Sequence, residues 1–391
     1  MQFDPFDPRF FDNPYPSYEA MRRDCPVYRC SVKNHRIWPH FWMLSRYRDV
    51  RDALADWKTF SSAKGTLIDT DISLIPPNIF NMDPPRHDEL RNVLARVLTA
   101  SKIASMEPMV RQHALELIDR FRRDGHTDIA TAYAHMIPTL TMCELLDLPK
   151  TDQEQFLGWN LDTLAGADFT SPAALRAYSE MEQYWEGLVA ERRRRPGTDL
   201  ISKIIHSEVK GDEISDKEIA GFCSLLHDAS QNTTMNMISN AVIVLGRYPD
   251  QRRKLIAEPQ RWPAAIEELL RYISPVQGLA RVTTRDVEVA GVTIPEGDQV
   301  LMLYGSANHD PEFCERPGEL DFDRIMKAHL SFGHGIHHCL GHAVARLEVR
   351  VGLQTLLDTI GEWEVDEPAV VRNQLVPTRG VAHAPISFAR S

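Results

Sequence analysis

One glycine-rich stretch, residues 332–341, holds the residue types best suited to chemistry in this sequence. Its glycines permit positive φ angles, a tight backbone path and a close approach to a flat partner. Cys339 lies just ahead of an apolar pattern of helical period that begins at Ala343. The dipole and free N–H groups of a helix N-terminus stabilise an anion, so Cys339 is well placed to be a thiolate. The competing interpretation is a buried core thiol in a glycine-rich turn.

Histidines around this cysteine raise a second chemistry, a zinc site. They are His334, His337, His338 and His342. No paired Cys-x-x-Cys or His-x-x-x-His motif elsewhere in the chain completes a tetrahedral ligand set. We therefore do not expect zinc.

The run Phe-Gly-x-Gly-x-His-x-Cys-x-Gly resembles the haem-binding loop of the cytochromes P450. The resemblance implies that haem b is the cofactor and that Cys339, as a thiolate, is the axial ligand of its iron. It also implies that Phe332, His337 and Gly341 contribute to haem binding. Because two glycines, a histidine and a closing glycine all match, the core-thiol interpretation becomes the weaker one.

Glu268 and Arg271 lie three residues apart on one face of a predicted helix. A single Glu-x-x-Arg pair is common and is mostly an exposed contact of a few tenths of a kcal/mol. The order of motifs from this pair to Cys339 resembles the K helix, meander and haem loop of the cytochromes P450. That resemblance implies a buried network that fixes the thiolate loop, with Arg324 as its third member.

Haem carries two propionates, so its pocket needs charge-assisted donors at the rim. By resemblance to the family, these donors are His87, Arg91, Arg281 and His337. Each of them taken singly would be interpreted as a surface cation. All four at matching positions favour haem binding.

A long predicted helix contains Ala229 and, four residues later, Thr233. This segment resembles the I helix of the family, in which a kink accommodates O2 and a threonine hydrogen-bonds to the oxygen. Thr233 matches that threonine, whereas Asn232 replaces the proton-relaying acid and Ser230 replaces a glycine. An amide can hold a water molecule but cannot cycle a proton as a carboxylate does.

Three explanations of proton delivery remain open. Asp228, one helical turn earlier, could deliver protons through water. The enzyme could carry out chemistry that tolerates slow protonation, such as phenol or indole coupling. Asn232 could also work adequately with ordered water. Thr233, Asn232 and Asp228 are therefore the candidate catalytic residues.

The resemblance places Asp228 on the distal side of the pocket, where family members are usually apolar. A buried unpaired carboxylate is unfavourable, so we expect a partner. The partner could be His227, a water network, or an amine or N–H group of the substrate, and we slightly favour one within the protein. A substrate partner would make the substrate nitrogen-containing, such as a peptide or amino-acid derivative.

Family analogy also assigns substrate walls to the 63–80 loop, the 155–185 helices and two short segments. The candidate substrate-binding residues in those segments are Leu225, Asp228, Ala229, Val276, Gln277 and Leu279. Gln277 is more polar than an aliphatic pocket requires.

The composition supports an ordinary globular protein of 391 residues, 43% hydrophobic and 25% charged. No apolar run approaches the roughly 20 residues that span a bilayer, and the N-terminus lacks the features of a signal peptide. We expect a cytoplasmic protein with six reduced cysteines. The net charge of −11 argues against nucleic acid as a partner.

Helical periodicity dominates the chain, and alternating strand and turn signals occupy the region from Ala280 to Leu303. The long predicted helix runs from about Ser215 to Arg247, and a helix is predicted over 127–147. We find no repeat or linker, so residues 1–391 are interpreted as a single domain. The class is mainly α with minor β, and the resemblance implies the cytochrome P450 fold, a triangular helical domain with a small β-rich region.

The resemblance covers essentially the whole chain and implies a soluble P450 of the bacterial class. We expect a monomeric monooxygenase or oxidase that activates O2 to hydroxylate or couple a small, nitrogen-containing secondary metabolite or peptide-like substrate. A separate ferredoxin with its reductase, or a flavodoxin, would supply electrons to the Cys339 side, with Arg86, Arg96 and Arg350 assisting docking. The alternatives are a peroxide-dependent haem-thiolate peroxygenase and a non-catalytic haem-binding sensor.

Overall fold

The computed structural model describes residues 12–31, 37–68, 70, 78–164, 171–209, 212–373 and 378–390. Helices dominate this part of the chain. In chain order the α-helices are α1 (Tyr15–Asp24), α2 (Tyr47–Ala55), α3 (Arg86–Val97), α4 (Ala100–Ala104), α5 (Glu107–Asp119), α6 (Met136–Leu145), α7 (Gln153–Leu164), α8 (Pro172–Arg194), α9 (Leu200–Ile205), α10 (Asp216–Arg247), α11 (Pro249–Ala257), α12 (Trp262–Ile273), α13 (Tyr304–Ala307) and α14 (His342–Ile360).

The strands are short and form small sheets. They are β1 (Val27–Ser31), β2 (His40–Leu44), β3 (Phe60–Ser61), β4 (His126–Asp128), β5 (Glu208–Val209), β6 (Asp212–Glu213), β7 (Leu279–Thr283), β8 (Val287–Val289), β9 (Val292–Ile294), β10 (Gln299–Met302), β11 (Trp363–Val365) and β12 (Pro385–Phe388). The largest described sheet has the order β1-β2-β10-β7-β3, in which β10 pairs with β2 in parallel and with β7 antiparallel. A second sheet, β11-β12-β4, joins the C-terminal strands to residues near position 127.

Helix α10 is the central element of the helical region. Ser215 caps its N-terminus in a reciprocal capping box with Glu218, which satisfies the first free N–H groups. The helix ends at Tyr248, directly before Pro249, where a proline cannot continue the backbone hydrogen bonds. Most of its 32 residues are buried, because α8 packs along one side and α6 and α14 along others. A helix buried on several sides need not be amphipathic, and its sequence shows no polar face.

The hydrophobic core consists of large clusters on both sides of α10. One cluster joins α5, α10, α12 and α14, and a second joins α3, α7, α8 and α9. The β-rich region has its own core around β2, β7 and β10. No helix in the described part of the chain combines the length and apolar character that a membrane crossing requires.

The predicted fold class is confirmed, and most predicted helices lie within a few residues of their expected ends. The prediction of one helix over 127–147 was wrong at its start. Residues 126–128 instead form β4, which pairs with β12, and a π-helical turn (Ala130–Ala134) follows before α6 begins. Residues 69 and 71–77 of the predicted 63–80 loop and residues 165–170 of the predicted 155–185 walls lie outside the described residues. The single-domain assignment stays a prediction.

Candidate active site

The Cys339 loop, residues 332–341, is positioned by close backbone packing before α14. Gly333 and Gly335 adopt positive φ angles of 70° and 71°. A Cβ atom on Gly335 would lie 2.4 Å from the carbonyl oxygen of Leu54 in α2, so a side chain there would clash with backbone. The N–H of Cys339 donates to the carbonyl of Phe332 at 2.9 Å, which closes the loop.

The thiol of Cys339 has opposing influences on its pKa. Burial raises the pKa, whereas a hydrogen bond from the backbone N–H of Gly341 and the charges of Arg91 and Arg346 lower it. The guanidinium of Arg346 also lies 4.4 Å from the ring centre of Phe332. Donors and cations already arranged around a buried sulfur suit a thiolate ligand, because a metal ion supplies the remaining stabilisation of the anion.

A buried ionic brace, formed by Glu268, Arg271 and Arg324, lies behind this loop. The two oxygens of Glu268 accept from Arg271 Nε at 2.7 Å and Nη2 at 2.8 Å, and Arg324 Nε donates to Glu268 at 3.1 Å. Arg271 and Glu268 are 0% and 1% exposed. The structure brings together all three residues that the sequence predicted for this network.

Asn308 links the brace to the Cys339 loop. Its carbonyl oxygen accepts from Arg271, while its side chain accepts from the N–H of Leu330 at 2.7 Å and donates to Ser331 Oγ at 2.9 Å. Ser331 in turn donates to the carbonyl of Leu270 in α12 at 2.7 Å. The chain that leads into the loop is therefore held by the same buried network that satisfies the Glu268 and Arg271 charges.

The four predicted haem-propionate donors also lie together. The rings of His87 and His337 have centroids 4.4 Å apart, and the Nε2 atoms of both are buried without a hydrogen-bond partner. Burial, followed by the charges of Arg281, His87 and Arg91, lowers the pKa of His337 to about 2. The sequence separates these residues by up to 250 positions, yet their electrostatic coupling shows that they share one site.

No carboxylate pairs with these guanidinium groups in the described part of the chain. Arg281 is 4% exposed, and its partners are the carbonyl of Ala280 and the hydroxyl of Tyr304. Arg91 donates to the carbonyl of His338 at 2.5 Å. A buried cation without a counter-ion is unfavourable by several kcal/mol. Two propionates would supply the missing negative charge and accept from the unpartnered Nε2 atoms of His87 and His337, so these residues fit haem.

The middle of α10 borders an internal space. Ala229 is exposed, and Leu225, Asp228, Ser230 and Thr233 are partly exposed, although most of the flanking turns are buried. The hydroxyl of Thr233 donates to the carbonyl of Ala229 at 2.7 Å. The α-helix α10 is continuous from Asp216 to Arg247. The kink that the resemblance to the I helix led us to expect is therefore not seen as a break in α10.

Asn232 and Asp228 both carry buried oxygens without partners. The Oδ1 atoms of both side chains accept no hydrogen bond, and Asn232 is 7% exposed. Burial raises the pKa of Asp228 to about 7. Of the three partners considered for Asp228, the structure contradicts His227. Both ring nitrogens of His227 are unpartnered, the ring packs against Phe156 and Trp159, and burial lowers its pKa to about 3.

Gln277 does not provide a free polar group to a substrate. Its Oε1 accepts from the Tyr18 hydroxyl at 2.9 Å, and its Nε2 donates to the carbonyls of Ser274 at 2.6 Å and Ile273 at 3.1 Å. The interpretation of Gln277 as a polar pocket wall is therefore corrected to a structural one. Its neighbours Val276 and Leu279 remain partly exposed and available to line a pocket.

The structure also adds polar residues that sequence reasoning missed. Tyr304 hydrogen-bonds to Arg281, and the pKa of Tyr178 in α8 is raised by burial and, to a smaller extent, by the charge of Asp228. Glu348 of α14 is 3% exposed, bonds to Thr141 and accepts from Thr234 at 3.4 Å, and burial raises its pKa to about 7. The sequence did carry an indication of this buried carboxyl group, because Glu348 lies between the apolar residues Leu347 and Val349 in a helix.

Together, the cysteine loop before α14, the buried ionic brace and the cluster of propionate donors define a haem-thiolate protein. The family model of cytochrome P450 matches residues 167–375. The chain is 38% identical over 370 residues to cytochrome P450 130 of Mycobacterium tuberculosis, which covers 92% of this chain and 91% of that protein. It is 34% identical over 397 residues to the vitamin D(3) 25-hydroxylase of Pseudonocardia autotrophica, covering 99% and 96%.

Among solved structures, the cytochrome P450 PksS of Bacillus subtilis matches with a TM-score of 0.91 and 31% identity, covering 99% of this chain and 100% of that one. The chain belongs to the cytochrome P450 family. It is therefore a haem-containing monooxygenase that binds an organic substrate and O2 and uses redox partners.

Proposed function

We propose that this P450 oxidises a small nitrogen-containing compound, a secondary metabolite or peptide-like molecule. The observation that carries the proposal is the unpartnered Oδ1 of Asp228 in the middle of α10. With His227 packed elsewhere, no described side chain satisfies this oxygen, which leaves water or a substrate N–H group as its donor. The outcome is hydroxylation or oxidative aryl coupling of that substrate.

Each residue of the site has a proposed role. Bound haem supplies the reductive activation of O2 and the transfer of an oxygen atom. Cys339 would hold its iron, while His87, Arg91, Arg281 and His337 would hold its propionates. The loop residues Phe332 and Gly341 would complete the haem-binding set.

The distal residues handle oxygen, protons and substrate. The hydroxyl of Thr233 donates a hydrogen bond to the carbonyl of Ala229. Rotation of the Thr233 side chain would free this hydroxyl to donate to O2 instead. Leu225, Ala229, Val276 and Leu279 would line the substrate space, because their surfaces are at least partly accessible. Oxygen chemistry would then take place between this face of α10 and the Cys339 loop.

We propose that protons are supplied by carboxyl groups whose pKa values lie close to 7. Asn232 cannot cycle a proton, since an amide neither gains nor loses one near pH 7. Burial raises the pKa values of both Asp228 and Glu348 to about 7, so each would hold or release a proton near physiological pH. Asp228 would act through water.

We also propose a monomeric, cytoplasmic protein that takes electrons from a separate ferredoxin system or flavodoxin. Of the three arginines expected to assist docking, two are engaged in ion pairs. Arg86 pairs with Glu218 and Glu89, and Arg350 pairs with Glu107. Arg96 is exposed and has no ion pair among the described residues, so it is the better candidate for a partner contact.

A carbon monoxide difference spectrum of the reduced protein, followed by a screen of ligands for a spin-state shift, tests this proposal. We expect the thiolate-type carbonyl band and a substrate-induced shift of the Soret band toward the high-spin form. A correctly folded, haem-loaded protein without the thiolate-type band would overturn the role of Cys339. Nitrogen-containing ligands that perform no better than nitrogen-free ones would overturn the proposed substrate class.

One observation favours a second candidate, a peroxide-dependent peroxygenase. The amide of Asn232 stands where a proton-relaying acid is expected, and peroxide already brings the two protons that O2 reduction requires. Turnover with hydrogen peroxide at a rate equal to or above that with NADPH and redox partners would support this candidate. A rate that depends entirely on redox partners would exclude it.

A further inference from the structure

Three unpartnered carbonyl-type oxygens lie on the two helices α7 and α10. They are Oδ1 of Asp228, Oδ1 of Asn232 and Oδ1 of Asn160, and each is buried without a donor. Asp228 and Asn232 are four residues apart on α10 and therefore share one face of the helix. Asn160 approaches α10 through a contact of its Nδ2 with the sulfur of Met235, at 3.3 Å.

Among the described residues, no arginine, lysine or histidine forms an ion pair with Asp228 or shifts its pKa, which burial alone raises. Its charge also acts on Tyr178 of α8, a neutral phenol whose pKa is raised by burial and then by this carboxylate. His227, the adjacent residue, faces the aromatic side chains of Phe156 and Trp159 instead.

This arrangement is selective in charge as well as in hydrogen bonding. Buried acceptors without donors are unfavourable, and they favour a ligand that carries several N–H groups. A carboxylate with no protein cation nearby additionally favours a positively charged ligand over a neutral one of the same shape. Water could satisfy the acceptors, but water would not supply the positive charge.

We infer that the substrate is an organic cation with N–H donors, an ammonium or guanidinium compound, bound by Asp228 with Asn232 one helical turn away on the same face. This inference rests on the proposed oxidation of a nitrogen-containing substrate and narrows it to the protonated form. Asn232 thereby becomes a specificity-determining residue, which accounts for an amide at a position where a second carboxylate would repel Asp228.

A matched pair of probes separates charge from shape. Decylguanidine is a permanent cation, and decylurea is its nearly isosteric neutral counterpart. Both are titrated into the haem-loaded protein, with dissociation constants from the spin-state shift and from isothermal calorimetry. We expect the guanidine to bind roughly 10- to 100-fold more tightly than the urea, as for a hydrogen bond to a charged group.

The variants Asp228→Asn and Asp124→Asn complete the test. Both remove one negative charge, but Asp124 is exposed between α5 and β4, outside the acceptor set and the proposed substrate walls. We expect Asp228→Asn to abolish the preference for guanidine and to retain affinity for urea, whereas Asp124→Asn keeps the wild-type ratio. A melting temperature of Asp228→Asn at or above that of the wild type would show that the variant is folded.

Equal binding of the two probes to the wild type, binding of neither probe, or an unchanged ratio in Asp228→Asn overturns the inference. Failure of the proposed function gives a different result. Suppose that the thiolate-type carbonyl band is present and that the protein oxidises neutral nitrogen compounds but not cations. This result would support the proposed function and contradict the cationic substrate class. If the band is absent, the haem-thiolate assignment itself fails.

Discussion

The imidazoles of His87 in α3 and His337 in the Cys339 loop pack with their ring centres 4.4 Å apart, and each leaves its Nε2 buried without a partner. Two adjacent donors of this kind are unfavourable unless an acceptor lies between or beside them. The contact joins the proximal loop to a helix 250 positions earlier in the chain. Haem binding should therefore depend on the packing of α3 against the Cys339 loop as well as on the loop itself.

Arg281→Ala should weaken haem binding without weakening the fold. Arg281 is a buried guanidinium with no carboxylate partner in the described part of the chain, so its removal relieves an unfavourable charge in the haem-free protein. We expect haem affinity to fall at least about tenfold while the haem-free protein unfolds at the same or higher urea concentration. Haem titration of the stripped protein and urea unfolding measure the two effects.

The matched control for this prediction is Arg96→Ala, because Arg96 is exposed on α3 and makes no ion pair among the described residues. Its haem affinity should equal that of the wild type. Equal losses of haem affinity in the two variants would show that general positive charge, and not the Arg281 site, holds the propionates.

Glu268→Ala should strongly destabilise the protein. Removal of the carboxylate leaves Arg271, which is 0% exposed, and part of Arg324 without their counter-ion. Breaking one side of a buried pair typically costs about 3–5 kcal/mol. Glu319→Ala breaks the exposed pair with Arg316 and should change the free energy of unfolding by less than about 1 kcal/mol.

Denaturant unfolding of the two variants measures this difference. Loss of the thiolate-type carbonyl band in Glu268→Ala at temperatures where helical structure persists would additionally locate the damage in the Cys339 loop. Similar unfolding free energies for Glu268→Ala and Glu319→Ala would contradict a bracing role.

Gln277→Met should affect stability and leave ligand affinity unchanged. The amide satisfies the Tyr18 hydroxyl and two backbone carbonyls, and loss of buried hydrogen bonds costs about 1–3 kcal/mol. Val276→Ala, one residue away at a partly exposed position, should instead change ligand dissociation constants with little loss of stability. Spin-state titrations and urea unfolding of both variants separate the roles, and a large affinity change in Gln277→Met would restore its interpretation as a pocket wall.

Local patterns predicted the parts of this site that depend on short sequence spacing. The Cys339 loop and the Glu268–Arg271 pair are set by backbone turns and by helical i,i+3 geometry, which a sequence carries directly. Long-range contacts were not accessible in the same way. Gln277 is satisfied by Tyr18, 259 positions away, and β4 forms because it pairs with β12.

The error over His227 has a simpler physical origin. Successive residues on an α-helix point about 100° apart, so neighbours in sequence are not neighbours in space. His227 therefore enters the aromatic cluster below α7 and α8, while Asp228 turns away from it. The effect of the Asp228 charge on Tyr178 depends on how α8 crosses α10, which no local pattern specifies.

Glu348→Gln should flatten the pH dependence of stability between about pH 4.5 and 7. Burial raises the folded-state pKa of Glu348 from 4.5 to about 7, so in this window the native state holds a proton that the unfolded state has released. Stability should therefore fall as pH rises, by up to about 1.4 kcal/mol per pH unit from this one group. Urea unfolding at several pH values measures the slope.

Part of that slope should remain in Glu348→Gln, because burial also raises the pKa of Asp228 to about 7. The double variant with Asp228→Asn should remove most of the remainder. Glu288→Gln, at an exposed position in β8, serves as the control and should retain the wild-type slope. A wild-type stability that rises between pH 5 and 7, with no change in Glu348→Gln, would contradict a buried neutral carboxyl.

Asn232→Asp should increase the coupling of NADPH consumption to product and reduce the release of hydrogen peroxide. A carboxyl at this position can cycle a proton beside Thr233, which an amide cannot. The new acid lies four residues from Asp228, so mutual repulsion should keep one of the two protonated at neutral pH. Asn232→Ala, which removes the amide without adding an acid, is the control and should leave the coupling unimproved. Product, peroxide and NADPH are measured together in the same reaction. An unchanged peroxide fraction in Asn232→Asp would mean that protons reach the oxygen by a route that bypasses position 232. Glu348 and its hydrogen-bond partner Thr234 would then be the next residues to vary.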